Sequence, residues 1–331
     1  MKSDMTKWER VRAALQGAET DRTPVALWRH FPHEDERPDT LAAAALAFQE
    51  KFDWDLIKFS PTGTYGIMDW GAETVWQPNP SGIRMVTRFP VQSHEDWPAL
   101  KNLEVTAGFL GLQNQAIGLT ARAVKGQVPL LQTIFSPLTT ARKMAGERVF
   151  TDLRKHPEAL KQGLEIIADV TTRFALEAIR AGADGLFFAT QLASYRLLND
   201  REHQEFGETY DLQVLKALRP KAEILMLHIH GEDIIFDLAN RYPVDIVNWH
   251  DRITAPGLEG ARRMTPAALA GGVNEWQTLQ TSSPAEIQAE VRQAIQAAGE
   301  RKLVIAPGCV VPYETSEERI RTVRNSVEIR S

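Results

Sequence analysis

The run EILMLHIH occupies Glu223–His230, where four consecutive apolar residues lead into a histidine, an isoleucine and a second histidine. Strands that are buried on both faces are continuous apolar runs of this kind, and they are typical of parallel sheets covered by helices. Seven similar runs occur elsewhere, at Val25–Trp28, Asp55–Ser60, Pro129–Phe135, Asp184–Thr190, Asp245–Trp249, Ala268–Val273 and Lys302–Pro307. Helical patterns separate most of them, so the sequence predicts an α/β protein with a (β/α)8 TIM barrel.

An open, doubly wound parallel sheet is the alternative arrangement of alternating strands and helices. Its dinucleotide-binding form has a G-x-G-x-x-G turn after the first strand, and no such turn follows Val25–Trp28. The barrel is therefore the preferred interpretation. The chain of 331 residues is long for one domain, but barrels of about 250 residues or more form a single unit. We expect one barrel domain over residues 1–331.

Composition and charge exclude several classes of partner. The 38 Lys and Arg residues are outnumbered by 43 Asp and Glu residues, and no long basic tract occurs, so we expect no nucleic-acid partner. No run approaches the roughly 20 apolar residues that a membrane-spanning helix needs, so we expect no membrane partner. The single cysteine, Cys309, cannot form an internal disulfide, which agrees with a reducing compartment and predicts a cytoplasmic protein.

The segment 61–128, between the second and third predicted strands, is longer than a usual strand-to-helix loop and is interpreted as an insertion. Within it, Glu73–Gln77 and Ile83–Phe89 flank the turn-forming sequence PNPSG, which predicts an antiparallel hairpin. Because strand-to-helix loops leave a barrel at its C-terminal end, we expect the hairpin beside the mouth, as a lid or a pocket wall. Trp70 and Trp76 either line that pocket or only pack the hairpin in place.

Five of the eight histidines follow predicted strands. His30 and His33 come after the first strand, His228 and His230 end the fifth, and His250 ends the sixth. In TIM barrels the catalytic residues come from the C-terminal ends of the strands. These histidines are therefore candidate site residues, with His30 as a candidate for substrate binding.

The spacing of His228 and His230 places both imidazoles on one face of a strand, because side chains two positions apart point to the same side. Imidazole is a good ligand for Zn²⁺, and a tetrahedral site needs one or two further ligands. Alternatively, both histidines hydrogen-bond an anionic substrate. Cys309 follows the eighth strand, where it would either bind such a metal as thiolate or pack as a small buried hydrophobic residue.

Other polar residues after the strands are candidates for catalysis and substrate binding. His250 and Asp251 could supply general acid–base catalysis or a further ligand, although Asp251 could equally pair with the following arginine or cap the next helix. Arg29 could bind a carboxylate or phosphate group through two hydrogen bonds. Asn274 and Glu275, after the seventh predicted strand, are weaker candidates of the same kind.

Several segments resemble the uroporphyrinogen decarboxylase family. RVRAALQGAETDRTPV at Arg10–Val25 is similar to its N-terminal signature, and PLTTARKMAG at Pro137–Gly146 is similar to a second recurrent block. Looser similarity extends over nearly the whole chain, including Gly182–Gly185 and the final helix at Thr315–Val327. The resemblance implies a (β/α)8 barrel. It also implies either a tetrapyrrole decarboxylase or a zinc-dependent methyltransferase that moves methyl groups between corrinoid proteins or folates and thiols.

The chain departs from the pattern of the decarboxylases at several positions. They have two arginines four residues apart after the first strand, and here Arg29 matches the first while His33 stands at the second. Pro61 replaces their essential aspartate, Lys143 their tyrosine, and Cys309 the histidine of their C-terminal Gly-His-Gly. Several groups that bind a polycarboxylate substrate are therefore missing.

The methyltransferase branch has zinc ligands in a His-x-Cys on the fifth strand and in a cysteine after the eighth. By this resemblance His228 and Cys309 match the first and last ligands, and His230 stands in place of the middle cysteine. Histidine can also bind zinc, but in place of cysteine it changes the softness of the donor atom and the net charge of the ligand set. The resemblance therefore implies a Zn²⁺ site made of these three residues.

The function that follows from this resemblance is methyl transfer to a thiol or corrinoid acceptor. A small-molecule thiol in the open zinc position would lose its proton and attack a methyl carbon. The implied methyl donor is a corrinoid or a folate, and a corrinoid protein is an implied partner. His250 or Asp251 would manage protons, and Arg29, His30 and Asn274 would contribute to substrate binding.

Three other functions stay open at the level of sequence. A metal-independent decarboxylase or lyase would use Arg29 to hold a carboxylate and His228 and His230 to donate protons. A tetrapyrrole- or corrinoid-binding protein would use the lidded mouth for a large flat ligand. A metal-dependent barrel hydrolase is less favoured, because its H-x-H lies on the first strand rather than the fifth.

Overall fold

The computed structural model describes residues 4–328, and two sheets organise this part of the chain. Its nine strands are β1 (Ile57–Phe59), β2 (Glu73–Val75), β3 (Met85–Arg88), β4 (Leu130–Phe135), β5 (Gly185–Thr190), β6 (Ile224–Ile229), β7 (Ile246–Trp249), β8 (Ala268–Val273) and β9 (Leu303–Pro307). Seven of them form one parallel sheet in the order β1-β4-β5-β6-β7-β8-β9, and β2 pairs only with β3.

Helices alternate with the strands of the parallel sheet, as the sequence predicts. In the described residues they are α1 (Lys7–Gln16), α2 (Pro38–Phe52), α3 (Tyr65–Met68), α4 (Gly108–Val124), α5 (Pro137–Ala145), α6 (Arg148–Lys155), α7 (Pro157–Ala181), α8 (Asp200–His203), α9 (Thr209–Leu218), α10 (Leu238–Arg241), α11 (Leu258–Met264), α12 (Thr278–Thr281), α13 (Pro284–Ala297) and α14 (Glu317–Ser326). Among residues 4–328, none of these helices has both the length and the hydropathy needed to cross a bilayer.

The first predicted strand, Val25–Trp28, is reduced to a single parallel bridge between Val25 and Ile305 of β9. On its other side, Asp55 N donates to Val25 O across 2.9 Å, just before β1. A regular ladder does not form because Pro24 has no N–H group and Val25 N donates to the Asp55 carboxylate at 2.8 Å. The prediction of a regular strand was therefore wrong, but the segment lies between β9 and β1. The curled parallel sheet is TIM-barrel-like.

A buried ionic cluster ties the first helix to this junction. Arg10 Nη1 lies 2.7 Å from Asp55 Oδ1, and Arg22 Nη1 lies 2.6 Å from Asp55 Oδ2. At the start of α1, Thr6 and Glu9 form a capping box. Asp55 therefore accepts hydrogen bonds from two arginines and from the backbone N–H of Val25.

The continuous apolar runs of the sequence are explained by burial on both faces of the sheet. Every residue of β5, β6, β7, β8 and β9 is buried. Helices therefore cover the outer face, and side chains fill the inner face. His228 belongs to this buried set, at the C-terminal end of β6.

The segment 61–128 contains α3, the β2–β3 hairpin and α4. The two hairpin strands are antiparallel, and Thr74 faces Val86. Trp76, just after β2, packs edge-to-face against Tyr313 with ring centroids 5.9 Å apart, and Trp70 Nε1 donates to Lys101 O at 2.9 Å. Trp76 thus fastens the hairpin to the loop after β9, whereas the Trp70 hydrogen bond lies within the segment 61–128.

Candidate metal centre

A cavity of about 240 Å³ opens at the C-terminal edge of the parallel sheet. The polar and charged residues that line it are His30, Lys58, Thr64, Ser81, Arg84, Thr133, Lys143, Gln191, His228, His230, His250 and Cys309. Apolar contacts come mainly from Ile83, Phe135, Phe187, Trp276 and Val310. Neither Trp70 nor Trp76 is among the lining residues, and Trp76 packs the hairpin against Tyr313 instead.

Three of the lining residues could hold a metal ion. One ligand atom from each of His228, His230 and Cys309 lies within 4.8 Å of the other two. His228 Nε2 and His230 Nδ1 are 3.4 Å apart. Around a single tetrahedral zinc ion, ligand atoms are roughly 3.4–3.6 Å apart, given the usual Zn–N and Zn–S lengths. Small side-chain adjustments would therefore satisfy one ion, and the donor set fits zinc.

The orientation of His228 is fixed by Asn248 on the neighbouring strand β7. Asn248 Nδ2 donates to Ala270 O and to Pro307 O, both at 2.9 Å. Its Oδ1 must then be the acceptor that faces His228 Nδ1 at 2.7 Å. Because His228 carries its proton on Nδ1, the lone pair of Nε2 is free for a ligand on the cavity side.

His250 and Glu275 form a second polar group beside the first. Glu275 Oε1 lies 3.1 Å from His250 Nδ1, and Glu275 Oε2 accepts a hydrogen bond from Gly308 N at 3.0 Å. His250 Nε2 lies 3.3 Å from His230 Nδ1. Glu275 therefore connects His250 with the loop that carries Cys309.

Burial sets the protonation states of the three candidate ligands. Desolvation lowers the pKa of His228 well below its usual value and lowers the pKa of His230 to about 4. Both imidazoles are thus neutral, which is the form that binds metals. Desolvation raises the pKa of the Cys309 thiol, so an adjacent cation would be needed to make it a thiolate.

Two lysines in the cavity are not among the site residues that the sequence predicts. Lys58 lies inside β1, and Lys143 lies on α5. Desolvation lowers the pKa of each of them to about 8. From the sequence, Lys143 is recognisable only as a departure from the decarboxylases. Lys58 was missed, although a charged residue within the apolar run DLIKFS is a usable signal.

The structure separates the predicted catalytic and substrate-binding residues into two groups. His250 and His30 line the cavity, and burial lowers the pKa of His30 to about 3. Arg29 and Asp251 are their direct neighbours in sequence and point elsewhere, because adjacent side chains at a strand end alternate between faces. Asn274 does not line the cavity either.

The residues outside the cavity have structural partners. Arg29 donates to Tyr313 O at 2.8 Å, and its guanidinium carbon lies 5.1 Å from the centre of the Phe48 ring. Asp251 accepts a hydrogen bond from Gly272 N at 2.9 Å, and burial raises its pKa to about 7. Asn274 Oδ1 accepts from two backbone N–H groups of the following turn, at 3.2 and 3.0 Å. The cavity site therefore excludes these three side chains.

Two kinds of curated protein are similar to this chain. Methylcobamide:CoM methyltransferase MtaA of Methanosarcina barkeri is 24% identical over 346 residues, which cover 97% of each chain. Methylcobamide:CoM methyltransferase MtbA of Methanosarcina mazei is 20% identical over 243 residues, 72% of this chain and 71% of the relative. Uroporphyrinogen decarboxylase of Francisella philomiragia is 29% identical over 150 residues, 43% of this chain and 42% of the relative.

Solved structures show the same fold. A methyltransferase from Methanosarcina mazei superimposes with a TM-score of 0.85 at 21% identity, over 98% of this chain and 99% of that one. A B12-independent methionine synthase from Shewanella gives a TM-score of 0.59 at 14% identity, over 92% and 90%. The sequence model described as uroporphyrinogen decarboxylase (URO-D) matches residues 6–329. Because that match extends over nearly the whole length, the chain belongs to the uroporphyrinogen decarboxylase family.

Proposed function

We propose that this protein is a zinc-dependent methyltransferase that moves a methyl group to a thiol or corrinoid acceptor. The observation that carries the proposal is the convergence of His228, His230 and Cys309, whose ligand atoms all lie within 4.8 Å of one another. The names of the relatives support the reaction class, because methylcobamide:CoM methyltransferases align with 72% and 97% of this chain.

The three residues leave room for a fourth ligand, as catalytic zinc sites do. When bound, zinc supplies a positive charge that lowers the pKa of a thiol in the open position and makes thiolate available near neutral pH. His228 contributes Nε2, because Asn248 holds the proton on Nδ1. His230 contributes Nδ1 and Cys309 its sulfur.

His250 is the proton acceptor in this proposal. Its Nε2 faces the candidate ligand atom His230 Nδ1 across 3.3 Å, so the ring lies next to the ligand set that would hold the ion. Glu275 lies on the opposite side of the ring, 3.1 Å from Nδ1, and stabilises the imidazolium once the ring has taken a proton. Asp251 has no part in this scheme, because its carboxylate is bonded to Gly272.

The hairpin segment closes one side of the site. Ser81, Ile83 and Arg84 line the cavity, and we propose that the insertion 61–128 of a single (β/α)8 domain limits the access of water. His30 completes the wall from the loop after the first predicted strand. The proposed methyl donor is a corrinoid or a folate, a corrinoid protein is the proposed partner, and the proposed location is the cytoplasm.

A metal-independent decarboxylase is the second candidate function. One observation favours it, since Lys58 and Lys143 could bind carboxylate groups in the same cavity. A tetrapyrrole- or corrinoid-binding protein would occupy the cavity without catalysis. Activity that persists after exhaustive chelation would favour the decarboxylase, and a visible absorbance band in the purified protein would favour the binding protein.

Metal analysis of the purified full-length chain tests the main proposal. We expect one zinc per chain after dialysis, and less than one tenth of that in His228→Ala and Cys309→Ala. His94→Ala is the matched control, because His94 stacks on His156 at the surface, with ring centroids 3.7 Å apart. A dialysed protein without zinc, or ligand variants that retain it, would refute the proposal.

A further inference from the structure

We propose that Phe187 is a positioning residue for His228, because its ring stacks on the imidazole and holds the plane in which the Nε2 lone pair points. The inference deepens the proposed function, on which it rests only for the benefit to metal binding. The orientation of the imidazole is a property of the metal-free chain and can be measured without zinc or turnover.

The hydrogen bond to Asn248 leaves one movement of the His228 ring open. His228 Nδ1 lies 2.7 Å from Asn248 Oδ1, and this contact fixes one atom of the ring and its tautomer. The torsion that tilts an imidazole plane has broad minima, and a hydrogen bond tolerates a moderate tilt. The Nε2 lone pair lies in the ring plane. A tilt would therefore turn it away from the position that a metal ion would share with His230 and Cys309.

Phe187 lies against the face of this ring. The centroids of the two rings are 5.2 Å apart, and their planes differ by 24°. In residues 4–328, the other ring contacts of His228 are with His230 and His250, whose planes differ from it by 56° and 62°. A stacked neighbour covers the ring face, whereas a steeply inclined one touches it at an edge. Phe187 therefore supplies the contact that opposes a tilt of the imidazole plane.

The register of the strands explains how Phe187 reaches His228. In the β5–β6 ladder, Ala189 stands opposite His228, and Phe187 stands opposite Met226. Side chains two positions apart on a strand share a face, and both Phe187 and Ala189 line the cavity. The Ala189 side chain is a single methyl group, so it leaves space beside the imidazole for the Phe187 ring. The stack thus depends on a large residue at 187 and a small one at 189.

Two further side chains hold Phe187 in place. Phe187 is 3% exposed, and the Trp28 ring packs against it edge-to-face with centroids 5.6 Å apart. Lys58 Nζ lies 4.6 Å from the centre of the Phe187 ring, at a distance where a cation is attracted to an aromatic face. Trp28 and Lys58 belong to neither β5 nor β6. A ring that is fixed by separate parts of the sheet can impose its plane on the imidazole beside it.

The Phe187→Met variant of the full-length protein tests the inference. Methionine keeps most of the apolar volume but has no flat face. Competition with a chromophoric chelator should show a zinc affinity lowered by about three- to tenfold, the factor that an aromatic pair typically supplies. In the zinc-free protein, NMR should show faster exchange of the His228 Nδ1–H proton with water. A ring that tilts more freely opens its hydrogen bond to Asn248 more often.

Two variants control for packing and for the ring face. Phe188 is the next residue on β5, is fully buried and does not line the cavity. Phe188→Met loses the same ring on the opposite face of the strand, so it should change neither the zinc affinity nor the Nδ1–H exchange. Phe187→Tyr keeps the ring face and should retain most of the zinc affinity and the slow exchange. Melting temperatures show whether each variant folds.

The outcomes separate this inference from the proposed function. Unchanged zinc affinity or unchanged Nδ1–H exchange in Phe187→Met would overturn the inference, as would equal changes in Phe188→Met. If the wild type binds no zinc, the proposed function fails, and the exchange measurement alone decides the inference. If the wild type and Phe187→Met hold zinc equally tightly, the inference fails and the proposed function stands.

Discussion

Asn248 Oδ1 accepts a hydrogen bond from His228 Nδ1 at 2.7 Å, and this contact decides which nitrogen of His228 is available inside the cavity. The amide cannot turn over without losing two bonds, because its Nδ2 donates to Ala270 O and Pro307 O. Asn248 is not among the lining residues of the cavity, yet it fixes the orientation and the tautomer of a candidate metal ligand.

Replacement of Asn248 by alanine should weaken zinc binding. The His228 ring would lose its fixed orientation and tautomer, and removal of a residue that orients a metal ligand costs about 10–100-fold in metal affinity. Competition with a chromophoric chelator measures the change. Asn325→Ala, on the exposed side of α14, is the control and should match the wild type. If Asn248→Ala binds zinc as tightly as the wild type, Asn248 does not orient His228 for metal binding.

Replacement of Glu275 by glutamine should reduce turnover without reducing zinc content. Glu275 faces His250 Nδ1 at 3.1 Å, and a neutral amide would no longer stabilise the protonated ring. Loss of such general acid–base assistance typically costs about 100-fold or more in rate. Steady-state kinetics across pH, paired with zinc analysis, would show a lower kcat and a changed pH profile. A variant that loses zinc instead would mean that Glu275 acts only through the Cys309 loop.

Replacement of Asp55 by alanine should strongly destabilise the fold. The change removes the carboxylate that the buried Arg10 and Arg22 share, and breaking a buried pair costs about 3–5 kcal/mol. Asp21 and Glu328 stay as the remaining partners of the two arginines. Urea unfolding measures the free energy. In the exposed Arg37–Asp39 pair, Asp39→Ala should change the free energy of unfolding by no more than about 1 kcal/mol. Equal losses of unfolding free energy in Asp55→Ala and Asp39→Ala would show that the buried cluster stabilises the fold no more than an exposed ion pair does.

Asp211 should make stability fall as pH rises. It is fully buried and accepts a hydrogen bond from Tyr242 Oη at 2.8 Å, and desolvation raises its pKa from 3.8 to about 8. Between these values the folded chain holds a proton that the unfolded chain releases, so this contribution to stability is complete below 3.8 and is lost as the pH rises through 8. The slope for one group is at most about 1.4 kcal/mol per pH unit.

The Asp211→Asn variant isolates this effect. Asparagine can still accept the Tyr242 hydrogen bond, and it does not titrate. The other charged groups nearby are Glu208 and its partner Arg241, and both are unchanged in the variant. Melting temperatures measured from pH 4 to 8 should fall less steeply in Asp211→Asn than in the wild type. Parallel curves would contradict the assignment.

The sequence predicts most of the fold because strand burial leaves a direct trace in the chain. Seven of the eight predicted runs contain strands of the parallel sheet, and the remaining run, Val25–Trp28, contributes one bridge. Its strand is weakened by a distant contact, because Val25 N donates to the Asp55 side chain. Asp55 lies 30 positions further along the chain, so no local pattern predicts this bond.

The candidate ligands were predictable, whereas their supporting residues were not. The H-x-H spacing and the position of Cys309 after the last strand depend only on strand periodicity, and the structure does bring these side chains together. The roles of Asn248 and Glu275 depend on contacts between separate strands and loops. Arg29, Asp251 and Asn274 also follow strands, but they are not among the lining residues of the cavity, and their predicted roles in the site stay predictions.

Cobalt substitution tests the central claim most directly, because a cobalt–thiolate bond has its own absorbance band. If His228, His230 and Cys309 share one ion, the cobalt-loaded protein will show tetrahedral visible bands and a thiolate-to-cobalt charge-transfer band in the near ultraviolet. Cys309→Ser will lose the charge-transfer band, and His228→Ala will lose the cobalt. A cobalt-loaded wild type without the charge-transfer band, or one whose spectrum is unchanged in Cys309→Ser, would contradict the account.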